Sequence, residues 1–110
     1  MVEFAIREDS RQRLSSFFVT GHAGWADDGD DVVCAAVSAI VQAAWLGLAE
    51  VAGVAVTGSR DKGRLELAWP AGSRDDAAVD AIVRTAALSI ERIATQFPDH
   101  VRVIRTRDDG

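Results

Sequence analysis

Two residues near the N-terminal third of the chain are equipped for chemistry. His22 and Cys34 stand twelve positions apart in GHAGWADDGDDVVCAAVS, residues 21–38. A neutral imidazole can take a proton from a thiol, and the resulting thiolate attacks a carbonyl carbon. The imidazolium can then protonate a leaving amine. The approach to the cysteine is acidic, with Asp27, Asp28, Asp30 and Asp31, an awkward setting for a thiolate. Cys34 is also the only cysteine, so it builds neither an intramolecular disulfide nor a cysteine-rich zinc site. The plainer reading must be weighed as well, because free cysteine is among the most buried residue types.

The elements that must position this pair can be read from hydrophobic periodicity. VEFAIR (2–7) alternates Val2, Phe4 and Ile6 against polar or small residues, the pattern of a half-buried strand. EDSRQR (8–13) is a polar turn, and LSSFFVTG (14–21) returns as a second strand. Apolar residues on both its faces predict a place near the sheet centre. From Val33 the period becomes helical, with Val33, Val37, Ile40, Val41, Ala44, Leu48 and Val51 on one face. Asp30 or Asp31 is a natural N-cap and Gly53 a natural stop.

With Asp31 as cap, Cys34 is the third helical residue. It then lies where unpaired N–H groups and the helix dipole favour a thiolate and can hold an oxyanion. Gly21, Gly24 and Gly29 would leave the intervening loop flexible enough to bring His22 back to the thiol. Ser38, one turn beyond Cys34, shares its side of the helix. Trp25, a large aromatic in a Gly-rich loop, has little local core to join and can close over a substrate. His100 has no nucleophile near it in sequence, and Trp45 and Trp69 read as packing residues.

Downstream, VAVTGS (54–59) and RLELAW (64–69) flank RDKG (60–63), a hairpin turn with Gly63 free to take positive φ. Pro70 and Gly72 break the strand, and SRDD (73–76) starts a second helix. Its stripe runs through Val79, Ile82, Val83, Ala86, Ile90, Ile93 and Phe97 before Pro98 ends it. VRVIRT (101–106) is the last strand. The order ββαββαβ predicts an α+β, two-layer fold: a mainly antiparallel five-stranded sheet with two helices on one face. The open face calls for a cover, to which Trp69 and Phe17 or Phe18 can contribute.

At 110 residues the chain is one domain, 1–110, with 48% hydrophobic residues, enough for a single core. A net charge of −5 argues against general binding to a nucleic-acid backbone and suits a basic partner. No apolar run is expected to approach the ~18 residues of a membrane span, and no secretory leader is read. A lone reduced thiol favours the cytoplasm.

GHAG, a short loop and DVVCAAVS together resemble the signature of the ribosomal-processing cysteine proteases, the Prp family of bacteria. Agreement of spacing and flanking residues over Gly21–Ser38 makes the match more specific than a Cys/His pair, and the ββαββαβ order fits as well. The resemblance implies a small homodimeric enzyme without cofactor or metal, with Cys34 as nucleophile and His22 as general base and acid. Gly21, Asp31 and Ser38 fall on motif positions assigned to site geometry, and Trp25 is added to the substrate side. The implied substrate is the N-terminal extension of the twenty-seventh large-subunit ribosomal protein, cut after two phenylalanines and before a small residue. WADDGD is more acidic than the family pattern, which points either to an altered substrate preference or to a lineage whose ribosomal protein lacks the extension, the fold and dyad then serving another substrate. The competing reading is a non-catalytic dimeric module that holds a basic ribosomal protein through acidic loops. A weaker one makes Cys34 a redox sensor that depends on an outside thiol.

Overall fold

The computed structural model describes residues 1–22, 28–61 and 63–108, with the side chains of 22 and 28–31 outside the description. Strand β1 (Val2–Glu8) turns into β2 (Leu14–His22), followed by helix α1 (Asp28–Leu46), which runs on into a π-helical turn at Gly47–Val51. Then come β3 (Thr57–Asp61), β4 (Gly63–Ala68), a 3₁₀ turn at Ala71–Ser73, α2 (Ala77–Gln96) and β5 (Val101–Arg107). The sheet order is β3-β4-β2-β1-β5. Among the described residues only the β1–β5 pair is parallel, so the expected α+β fold with a mainly antiparallel sheet is what forms. β2 takes the middle place that its two apolar faces predicted.

Alternation decides which side of the sheet the helices cover. Val2, Phe4 and Ile6 of β1 are fully buried, as are Phe17 and Val19 of β2 and Leu65 and Leu67 of β4. They join Val33, Cys34, Val37, Val41, Ala44 and Leu48 of α1 and Val79, Val83, Ala86, Ala87 and Ile90 of α2 in one core. Asp76 caps α2 by accepting from the N–H groups of Ala78 and Val79, worth about 1 kcal/mol for such a cap.

Five expectations need correction. α1 begins at Asp28, not after an Asp31 cap; with acidic residues at 28, 30 and 31, the helix dipole favours a first turn made of them. β3 begins at Thr57 rather than Val54. Gly53 takes a positive φ, and the Val54 N–H bonds back to the Leu48 carbonyl. Val54 and Val56 thus wrap the helix end and pack half-buried on the core. Trp69 and Phe17 lie on the helix-bearing face rather than covering the open one. The two rings meet edge-to-face at 5.0 Å, and Trp69 Nε1 donates to the Leu14 carbonyl. Of the three aromatics only Phe18 faces outward, beneath the Arg64 guanidinium at 5.2 Å. Gly21 lies in β2, as the strand read over 14–21 expects, and so is not one of the glycines of a flexible loop. Finally, an apolar run of membrane-span length does exist. Val32–Val51 covers 20 residues at mean hydropathy 2.0, a third of them buried. Its sheet-facing positions are part of the core, and inserting the helix in a bilayer would uncover the sheet.

A polar latch ties the β1–β2 turn to the start of α2. Asp9 Oδ1 accepts the N–H groups of Arg11 and Arg13, and Oδ2 accepts Arg13 Nε and Arg74 Nη1, all at 2.9–3.0 Å. Arg74 also binds the Trp69 carbonyl, and Arg13 reaches Asp75. Partial burial pushes the Asp9 carboxyl up, but these N–H groups and guanidinium charges outweigh it and hold it at about 2, below the ordinary 3.8. A depressed native value stabilises the fold above the unfolded value, and this is lost as pH falls from about 4 towards 2. Denaturant unfolding should therefore show Asp9→Asn less stable than wild type at pH 7. The gap should shrink as pH falls through that window; a constant gap would contradict the assignment.

Candidate active site

Cys34 is the seventh residue of α1 and is 8% exposed, its side chain turned toward the core. Its Sγ lies 3.8 Å from the Ser38 Oγ, within hydrogen-bond range for sulfur, as the one-turn spacing predicts. The earlier start of α1 changes one part of the expected chemistry. In a helix that begins at Asp28, the N–H groups of 32, 33 and 34 are engaged by carbonyls four residues back. They cannot serve as the oxyanion donors expected from a first-turn cysteine.

His22 ends β2, and the backbone pairing changes just before it. From Ser16↔Ala68 to Thr20↔Arg64 the β2–β4 register stays in step, with Phe18 and Thr20 on the outer face. Then it shifts by one residue, and His22 pairs with Gly63. In simple alternation position 22 would share the face of Thr20. The extra residue, Gly21, puts it in step with Leu65 and Leu67, on the face that carries α1.

Gly21 meets two demands. Its φ is +89°, and a Cβ there would stand 2.4 Å from the Met1 carbonyl oxygen. Of the other expected site residues, Asp31 has its backbone within α1 and its side chain outside the described residues. Trp25 and Asp27 lie outside them altogether. Sequence reading missed Gly63, taken there only as a turn glycine; its pairing with His22 is a long-range contact that local pattern does not carry. Among the described residues no group of three or more His, Cys, Asp or Glu could hold a metal ion.

The geometry is thus a buried thiol on one helix, a hydroxyl beside it, and a histidine position brought to the same side of the sheet by a one-residue bulge. A family model described as cysteine protease Prp matches residues 1–102. The chain belongs to this Prp family. The ribosomal processing cysteine protease Prp of Bacillus subtilis (strain 168) is 30% identical over 107 residues, covering 94% of this chain and 96% of the relative. The crystal structure of SMU.848 from Streptococcus mutans superposes with a TM-score of 0.87 at 25% identity, over 98% of this chain and 96% of that one. An essential ribosomal processing protease Prp from S. aureus, solved with a substrate peptide, shares the fold at TM-score 0.78 and 18% identity. That match covers 96% of this chain and 99% of the other. Membership makes this chain a cysteine protease of the ribosomal-processing class, which sets aside the non-catalytic module. In this chain Cys34 lies in α1 and His22 ends the central strand.

Replacing Gly21 by Ala should cost about 1–3 kcal/mol for the positive φ alone, before the contact with Met1. It should also move position 22 out of register and lower peptidase activity more than the loss of folded protein explains. Unfolding curves and turnover on the same samples check this; unchanged stability would contradict the role of the bulge.

Proposed function

We propose that this protein is a cytoplasmic endopeptidase that removes the N-terminal extension of the twenty-seventh large-subunit ribosomal protein through a Cys34–His22 dyad. The observation that carries the reading is the register shift at Gly21, which brings position 22 to the face where α1 holds Cys34. In the first half-reaction His22 takes the thiol proton as Sγ attacks the scissile carbonyl carbon. Collapse of the tetrahedral adduct breaks the C–N bond, His22 protonates the amine, and a thioester remains. Water then attacks the thioester as His22 takes its proton, releasing the carboxyl product and returning the thiol.

Ser38 sits where its hydroxyl orients the Cys34 sulfur. Gly21 sets the histidine register, Asp31 contributes to site geometry from α1, and Trp25 closes over the peptide. The acidic residues 27–31 favour a basic substrate, as ribosomal proteins commonly are. Residues 1–110 act as one catalytic domain, with no cofactor or metal.

A peptide spanning the extension and cleavage site, incubated with wild type, Cys34→Ala and His22→Ala, tests this directly. Cleavage after the paired phenylalanines should occur with wild type and fall at least about 10³-fold in either variant, the scale of losing a dyad member. Equal cleavage by all three would end the reading.

The reading includes a homodimer, and exposed apolar surface on α1 supports it. Val32 is 71% and Leu46 58% exposed, with Ala35, Ala36, Ala39 and Ala43 exposed between them. No charged residue occurs from Val32 to Ala49, so two chains of net charge −5 can meet there without apposing like charges. Sedimentation at micromolar concentration should give a dimer for wild type and a monomer for Leu46→Glu. A monomeric wild type would contradict this part.

A further inference from the structure

We propose that Gly63 is a positioning residue for His22, so that the β3–β4 hairpin forms part of the catalytic apparatus. The inference rests on His22 acting as the base. Asp61↔Arg64 is the last pair of the β3–β4 ladder, and Gly63 lies just beyond it. Gly63 holds a φ of +78° there and is also the residue opposite His22 beyond the Gly21 bulge. One backbone unit therefore serves two ladders: it closes the hairpin and fixes the end of β2.

The arrangement links the base to the turn. After Gly21 the β2 backbone has left its earlier register, and its next pair is with Gly63. β1 offers no substitute, because its ladder with β2 ends at Glu3↔Thr20. Strain at position 63 would thus be passed to the backbone of residue 22. A Cβ at a φ of this sign is strained, least for Asn and more for Ala.

The imidazole must meet the thiol within a fraction of an ångström to move its proton, and a misplacement of about 1 Å can cost about 10²-fold in rate. Arg64, the next residue, is held over Phe18 on the outer face, so the hairpin cannot relax freely around its tip. A side chain at 63 should act on turnover rather than on substrate affinity.

The test compares Gly63→Ala and Gly63→Asn with wild type, reading kcat and KM per folded molecule and the imidazole NMR signals of His22. Gly63→Ala should lower kcat about ten-fold or more with KM within about two-fold, and shift the His22 titration. Gly63→Asn, which tolerates the left-handed φ, should recover most of the rate. A folded Gly63→Ala with wild-type kcat and an unchanged His22 signal would overturn the proposal. Wild type gives a reading that does not depend on any variant folding. The amides of residues 22 and 63 should resist hydrogen exchange together, and independent exchange of residue 22 would also overturn it. Full activity of His22→Ala would instead remove the dyad on which the inference rests, so the two failures are distinguishable.

Discussion

One extra residue in the central strand sets the arrangement of the site. β2 is paired on both sides, to β1 and to β4, and its inward residues are part of the core. Such a strand cannot slide, since a slip of one residue would turn Phe17 and Val19 out to water. Against β1 the register shifts between Arg7 and Glu8, at the start of β2, and against β4 it shifts at Gly21, at the exit from the core. The bulge uses that rigidity: from Ser16 to Thr20 the pairing with β4 stays in step, and the backbone of residue 22 pairs one position out of it, with Gly63. Because the strand is fixed, the histidine that follows can be fixed too.

The opposite partner is held by different means. Cys34 sits in a helix whose sheet-facing side is a continuous run of apolar contacts, from Val33 through Val37, Val41 and Ala44 to Leu48. Burying such side chains stabilises the fold by roughly 1.5–3 kcal/mol each, so the helix is a firm mount for Cys34. Trp45 extends the same flank and packs against Gly58 of β3, where a Cβ would come within 2.6 Å of its ring. The edge strand therefore approaches the helix closely because residue 58 has no side chain. Helix, edge hairpin and central strand are thus coupled around the site.

Much of this was legible in the chain itself, for a physical reason. The alternation in β1 and the helical stripes of α1 and α2 record burial, and burial is what those residues do. The Prp family was legible from the residue types, spacing and flanking residues around His22 and Cys34. What was hidden depends on long-range pairing or on choices between near-equal local options. Asp28, Asp30 and Asp31 all suit a helix start, so composition did not fix which one begins it. Val54 and Val56 are apolar because they cover the end of α1, not because they lie in a strand. The bulge at Gly21 and its partner Gly63 are forty-two residues apart, and each glycine alone reads only as freedom.

The central claim is that the Gly21 bulge puts His22 where it acts on the Cys34 thiol. The most direct measurement is the rate of Cys34 alkylation by a small neutral reagent across pH 5 to 10, roughly the range spanning imidazole and thiol titration, in wild type and His22→Ala. The account predicts that wild type reacts on the acid side of an ordinary thiol titration, with a limb that vanishes in His22→Ala. Superimposable profiles for the two proteins would contradict it.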